Sequence, residues 1–415
     1  MQDLAVFGGS RSFEAPVIVG EPVVDDVPGV LEDLGRVLNS RRLTNNGPWV
    51  QAFEEAVKQA TRTKYCIATD NGTSALQIAA RALALRGEII VPAFTFIATA
   101  HAFAWQGLRP VFVDVDPDTH TIDVQAVEAA ITPQTTAICG VHLWGNLCDV
   151  AALTELADRH DLALLFDAAH ALGCENAAGI PVGSFGDAEV LSFHATKFVS
   201  AFEGGAVVTN DDALARQLGQ LRNFGFDDSG RVQSIGINAK MSEASAVMGL
   251  HSLRHYDDIV AANRSNLQGY RNQLGKCAGI DFVVPRDIKT SNCQYVVVVI
   301  DERETGISRD ALLACLRAEG IFAKAYFEPP CHLAEPYRVR QTMTLPVSEQ
   351  LGRSVLCLPS GRAVGCEQID GISDLIRFIL KCGPEVENRL EGGAHVPRRA
   401  ERKIQPRIQN PHSSA

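Results

Sequence analysis

The sequence predicts an α/β fold, with a large domain on a mainly parallel central sheet and a smaller C-terminal α+β domain. Three observations predict it. Short, near-continuous apolar runs recur between residues 65 and 209 and alternate with helical segments. That is the pattern of parallel strands buried by helices on both faces. From Cys293 onward, β-rich and helical segments mix over a shorter span. Finally, the chain has 415 residues, 46% of them apolar and 21% charged. It is long enough for two or three domains and apolar enough to order most of its length.

Residues 1–16 read as a flexible start. The large domain is expected over 17–260. Its strands are Tyr65–Thr69, Ile89–Val91, Pro110–Val115, Ala137–Leu143, Leu162–Phe166, Ala188–Ser192 and Ala206–Thr209. Ser74–Leu85, Val150–Arg159 and Asp211–Leu221 carry helical periodicity. The most membrane-like stretch, Ile89–Trp105, has 17 residues and contains Pro92 and His101. It falls short of the about 20 residues that span a bilayer, so it reads as a buried strand running into a helix. Met241–Tyr270 reads as helix and bridges to a small domain over 261–386. There Gln294–Asp301 and Ile321–Tyr326 read as strands and Arg309–Glu319 as a helix. Residues 387–415 hold five cations from Arg398 to Arg407, with Pro397 and Pro406 and no apolar periodicity. They are expected to form a disordered basic tail.

Charge and cysteine content exclude several functions. There are 38 basic and 49 acidic side chains, for a net charge of −11, which argues against a nucleic-acid partner. The N-terminus lacks a basic region followed by an apolar core, so no secretory signal is expected, and no membrane partner. The eleven cysteines form no CxxC pair. Reduced core thiols in a cytoplasmic protein are the expectation, with no metal site.

Open α/β sheets bind ligands at the carboxyl ends of their strands, and three polar clusters fall there. Asp70-Asn71-Gly72-Thr73-Ser74 separates a strand from a helix. Gly72 allows close backbone approach, and the hydroxyls stand beside unpaired N–H groups, an arrangement suited to an anion. A simple helix cap is the alternative. Asp167-Ala168-Ala169-His170 follows the run Leu162–Phe166. A carboxylate there needs a cation or several donors; it could ligate a metal, transfer protons, face a protonated heterocycle or cap a helix. His170 could equally be a core histidine. In Ser192-Phe193-His194-Ala195-Thr196-Lys197, the lysine lies in an apolar setting that lowers its pKa and makes it nucleophilic. A surface lysine is the alternative. Gly204-Gly205 marks a tight turn or close backbone approach. An anion cup, a buried carboxylate and a lysine are together what a pyridoxal phosphate site requires.

Ten ordered motifs make this specific: LTNNGPWVQAFE (Leu43–Glu54), DNGTSAL (Asp70–Leu76), VPAFTFIATA (Val91–Ala100), VFVDVD (Val111–Asp116), HLWGNLCDV (His142–Val150), FDAAHALG (Phe166–Gly173), SFHATK (Ser192–Lys197), EGGAVVT (Glu203–Thr209), GINAKMSE (Gly236–Glu243) and YFEPPCH (Tyr326–His332). From about Arg42 to Cys382 the chain resembles the DegT/DnrJ/EryC1/StrS sugar aminotransferases, which have the PLP-dependent transferase fold type I. The resemblance implies that Lys197 holds pyridoxal 5'-phosphate (PLP) covalently and then moves protons. It implies that Asp167 pairs with the pyridine nitrogen, that Phe96 stacks on the ring and that His170 lies near the ring and its hydroxyl. Gly72, Thr73 and Ser192 hold the phosphate. Asn238 reaches the phosphate of the neighbouring subunit's cofactor, since sites are shared in a homodimer. Thr44, Tyr326 and His332 match motifs on the substrate side.

Two departures stand out. Lys240 occupies a position where the family often has Arg, which puts a bidentate contact in doubt. Trp144 stands where Tyr is common, keeping an aromatic surface without the hydroxyl. Lys197 itself argues for transamination, because the related dehydratases have His there. The implied reaction moves an amino group from L-glutamate to a nucleotide-linked keto-deoxysugar. The leading acceptor is a dTDP-4-keto-6-deoxyhexose, which would give a 4-amino-4,6-dideoxy sugar. The alternatives are a 3-keto sugar, a keto-cyclitol of the scyllo-inosose type, a PLP-binding regulatory protein without turnover, or an α/β binding domain without cofactor.

Overall fold

The structure, a computed structural model, describes residues 4–338 and 344–392. Its largest sheet has seven strands. Their spatial order is Tyr65–Thr69, Gly205–Thr209, Ala188–Ser192, Ala163–Asp167, Thr135–Val141, Glu88–Pro92, Arg109–Val113. Gly205–Thr209 runs antiparallel to both neighbours, and the other pairings are parallel. Each expected strand is present, with ends moved by one or two residues. Side chains from the two faces feed two apolar clusters. One includes Ile90, Ile138, Phe166 and Leu191, the other Ile89, Val91, Leu165 and Val190. Burial on both faces explains why these runs are continuously apolar rather than alternating. Ile89–Trp105 becomes the strand Glu88–Pro92 and the helix Ile97–Ala104. Among the described residues, no helix is long and apolar enough to cross a membrane.

The small domain has an antiparallel three-stranded sheet, with Val296–Ile300 between Ile280–Val283 and Val355–Leu358. The expected strand Ile321–Tyr326 shrinks to Ile321–Phe322, because the partner segment Val17–Ile18 offers only two residues. Lys324 then makes an isolated bridge to Cys357. Met241–Tyr270 resolves into two helices, Glu243–Arg254 and Tyr256–Leu274.

The domain boundaries need correction. Residues 4–16 are not loose. Glu319 accepts from Ala5 N at 2.7 Å and from Ser12 N and Oγ at 2.8 Å, and Leu4 is buried. Val17–Ile18 pairs with the small domain, so the large domain does not begin at residue 17. The expected division at 260/261 falls inside Tyr256–Leu274, whose Leu267, Tyr270 and Leu274 join the small-domain core. At the other end, helix Gly383–Glu391 runs past residue 387, where the tail was expected to start. The tail's remaining residues, 393–415, lie outside those described.

Candidate active site

Six parallel strands direct their carboxyl ends to one edge of the large sheet, and the reversed strand brings Gly205 to the same edge. The helix Gly72–Ala82 starts there. Asn71 caps it by accepting from Ser74 N at 2.8 Å, and Thr69 Oγ1 donates to Asn71 O at 2.9 Å. Asn71 is therefore the capping residue. The first-turn N–H groups of Gly72 and Thr73 belong to the set a helix leaves unpaired, and the helix dipole favours an anion beside them. A Cβ on Gly72 would sit 3.4 Å from Ser192 Cβ and 3.7 Å from its Oγ, so the Ser192 hydroxyl stands next to this helix end. A Cβ on Gly205 would lie 2.4 Å from the Asn71 carbonyl carbon and 2.6 Å from Gly72 N. Only glycine lets the reversed strand pass this close.

Asp167 ends the strand Ala163–Asp167 and is 7% exposed. Its Oδ2 accepts from Thr99 Oγ1 at 2.8 Å and its Oδ1 from Ala169 N at 3.1 Å. Burial pushes its carboxyl above the usual range, opposed by those two bonds and by the charge of Lys197. The helix Ile97–Ala104 supplies Thr99, and Phe96, at the N-cap of that helix, is 56% exposed. A large aromatic left open one turn from Thr99, which bonds the buried carboxylate, is suited to cover a flat ligand.

Lys197 lies in the loop after Ser192, its N–H bonded to His194 O at 2.8 Å. Its Nζ donates to Tyr295 Oη at 3.3 Å. Burial lowers its pKa to about 8; Asp167 opposes that shift and Lys324 adds to it. His170 packs its ring 4.5 Å from that of Tyr295 and stacks on Trp144 at 5.6 Å. Its Nδ1 accepts from Trp144 N at 3.3 Å, and burial with Lys197 nearby holds its pKa well below the usual value. The neutral ring then carries its proton on Nε2. Trp144 has φ +61°, a costly conformation for a bulky residue. Packing sustains it. Its ring stacks on Phe327 at 5.5 Å, and its Nε1 donates at 3.2 Å to His120, kept neutral by burial at a pKa of about 4. The indole therefore extends the aromatic wall and supplies a different donor from the expected phenol. Tyr326 joins this wall, 6.0 Å from Trp144.

The structure thus gathers Gly72, Thr73, Ser192, Asp167, His170, Lys197, Phe96 and Tyr326 at one edge. Thr44 and Asn238 are exposed. Among the described residues neither hydrogen-bonds to a member of this group. His332 is a correction: its side chain is 0% exposed and its Nε2 lies 3.5 Å from Glu349 Oε1. It has no surface to offer a substrate, because the short helix Cys331–Leu333 turns it into the core. Lys240 donates to Asn223 Oδ1 at 2.8 Å, a single bond rather than a bidentate one. Thr99 and Tyr295 hydrogen-bond to Asp167 and Lys197, and sequence reasoning missed both.

The model of the DegT/DnrJ/EryC1/StrS aminotransferase family matches residues 27–377. A dTDP-4-amino-4,6-dideoxy-D-glucose transaminase from Shigella dysenteriae is 37% identical over 88% of this chain and 100% of its own length. The crystal structure of DesI in the presence of its TDP-sugar product superposes with a TM-score of 0.90 at 48% identity, covering 94% of this chain and 99% of that one. The structure of NtdA from Bacillus subtilis with bound PMP is 25% identical, with a TM-score of 0.80, covering 90% and 87% of the respective chains.

Proposed function

The chain belongs to the DegT/DnrJ/EryC1/StrS aminotransferase family, and from that premise we propose that it moves an amino group from L-glutamate to the ketone of a dTDP-4-keto-6-deoxyhexose, giving a 4-amino-4,6-dideoxy sugar. The enzyme is a PLP-dependent transaminase. The observation that carries the reading is Lys197 and Asp167 at the sheet edge where helix Gly72–Ala82 begins. DesI, 48% identical and solved in the presence of its TDP-sugar product, supports the acceptor class.

The residues fit the cofactor. Gly72 and Thr73 N–H groups with the Ser192 hydroxyl suit its phosphate, and Asp167 suits its ring nitrogen. Phe96 has an open face for the ring, and Lys197 has an amine for the aldehyde. When bound, PLP supplies an electron sink that lets a proton leave carbon. The protein does the rest. Burial disfavours the charge on Asp167, and a cationic N–H before it favours that charge. Lys197 accepts and returns a proton, a role worth about 10²–10⁴-fold. His170 offers its Nε2–H, and Trp144, Tyr326 and Phe327 form an apolar wall beside it.

The pKa of about 8 at Lys197 gives a pH prediction. Only the neutral amine attacks an aldehyde, so the rate at which cofactor-free protein captures PLP should rise with pH through about 8 and then level off. Stopped-flow absorbance checks this; a flat profile between pH 6 and 9 would contradict it.

The reading includes a homodimer with shared sites. Exposed apolar side chains surround Asn238: Phe224, Phe226, Val232, Ile235 (79% exposed) and Ile237. A cluster of this kind marks an interaction surface. Asn238→Ala is expected to weaken PLP retention, and a hybrid with Lys197→Ala on one chain and Asn238→Ala on the other should keep one intact site, because with shared sites both lesions fall in the other; one defective site of each kind would show that Asn238 serves its own chain. Unchanged PLP affinity in every combination removes Asn238 from the site. A cytoplasmic location completes the reading and is in keeping with eleven free cysteines.

The absorbance spectrum tests the whole proposal. The cofactor band should fall with L-glutamate and return with dTDP-4-keto-6-deoxyglucose. A band that falls and never returns keeps the aminotransferase and rejects this acceptor, with keto-cyclitols next.

A further inference from the structure

A cleft of about 50 Å³ lies beside Lys197, between residues 19–25, the lysine loop, the helix Tyr256–Leu274 and the small domain. Three of its lining residues hold a buried oxygen with no hydrogen-bond partner among the described residues: Asn263 Oδ1, Gln294 Oε1 and Ser360 Oγ. All three residues are more than nine-tenths buried. The two amides have fixed orientations. Asn263 Nδ2 donates to Asn292 O at 3.1 Å and Gln294 Nε2 to Thr196 O at 3.3 Å, which leaves the carbonyl oxygens over. Buried acceptors are almost always paired, with protein or with ordered water.

The lining decides what can pair with them. Lys197 and Arg362 both border the cleft, and Asp25 is already engaged by Arg362 at 2.8 Å, so a metal cation meets like charge. An anion meets the carbonyl oxygens of Asn263 and Gln294, which have no proton to offer it. A small neutral donor satisfies the chemistry, and the volume takes a few water molecules, since about 10–15 Å³ of such space holds one. One end of the cleft is at the surface, where Glu21, Pro22 and Val23 are exposed. The other end is at Lys197 and Tyr295, whose Nζ and Oη are 3.3 Å apart.

We propose that this cleft is an ordered-water site that carries solvent from Glu21–Val23 to Lys197, with Asn263, Gln294 and Ser360 as its acceptors. Its occupancy is independent of the proposed function; its role beside Lys197 rests on that reading. When Lys197 takes a proton from substrate carbon, the bond's electron pair stays with the substrate. The resulting ammonium exchanges its proton with these waters.

Three measurements test this. A high-resolution crystal structure of the full-length holoenzyme should show water within hydrogen-bond distance of all three oxygens; a dry cleft overturns the site. Ser360→Ala in cofactor-free protein should lower the unfolding temperature, since a hydroxyl bonded to water is lost. An unchanged or raised temperature means that the hydroxyl was unpaired and overturns the site as well. Ser360→Leu in the holoenzyme fills the cleft with apolar atoms. Turnover of α-deuterated glutamate should then pass at least twofold less deuterium to solvent per product formed. Unchanged washout overturns the route to Lys197. Absence of any glutamate turnover in wild type would instead sink the proposed function, leaving the first two results to stand alone.

Discussion

Replacing Lys197 with alanine is expected to lower turnover by more than about 10⁴-fold. General acid–base catalysis by one positioned group contributes about 10²–10⁴-fold. Lys197 is assigned a second task, the covalent capture of the cofactor, so its loss exceeds that range. The geometry supports both tasks. Nζ lies 3.3 Å from Tyr295 Oη and its pKa is lowered to about 8, which leaves a sizeable neutral fraction near pH 7.5. Two readouts separate this from misfolding. Borohydride treatment followed by mass spectrometry should add the cofactor's mass to wild type and not to the variant. The unfolding temperature of the cofactor-free variant should not fall, because a buried amine with one hydrogen bond contributes little to stability. A variant retaining turnover within tenfold of wild type would falsify the assignment.

The legible part of this site has a physical explanation. Asp167, Ser192 and Lys197 lie at or just past the ends of apolar runs, and a parallel sheet directs those ends to one edge whatever the register. Gly72 and Gly205 were visible as glycines at strand–helix and turn–strand junctions, where close approach is expected. Thr99 and Tyr295 were not legible. Thr99 lies within the apolar helix Ile97–Ala104 and Tyr295 just ahead of the strand Val296–Ile300, and each reaches the site from far away in sequence, 68 residues from Asp167 and 98 from Lys197. His332 misled for the opposite reason. Its motif resembles the family's substrate-side segment, but one turn of tight helix rotates the ring inward to Glu349. The domain boundaries failed because residues 4–18 fold onto the small domain, through Glu319 and a two-residue strand pair. No periodicity encodes such a return of the chain.

Asp167→Asn should produce effects of opposite sign on folding and on cofactor binding. In cofactor-free protein the carboxyl pKa is raised by burial. The folded state then binds more protons than the unfolded state between the unfolded and folded pKa values, so stability falls as pH rises through that window. Asparagine carries no charge to desolvate and keeps one acceptor oxygen for Thr99, giving up the longer bond from Ala169 N. The cofactor-free variant should therefore unfold at a temperature equal to or above wild type at pH 7.5, and the difference should vanish at pH 4 or below. With PLP present, the ordering reverses. The ring nitrogen's cationic N–H loses its anion in a buried setting, where breaking a charge pair costs about 3–5 kcal/mol, or roughly 10²–10⁴-fold in affinity. Thermal unfolding with and without PLP across pH, together with a PLP titration, reads both limbs. A variant destabilised in both forms would show that Asp167 is a structural residue of the strand end, and a variant with unchanged PLP affinity would show that another group faces the ring nitrogen.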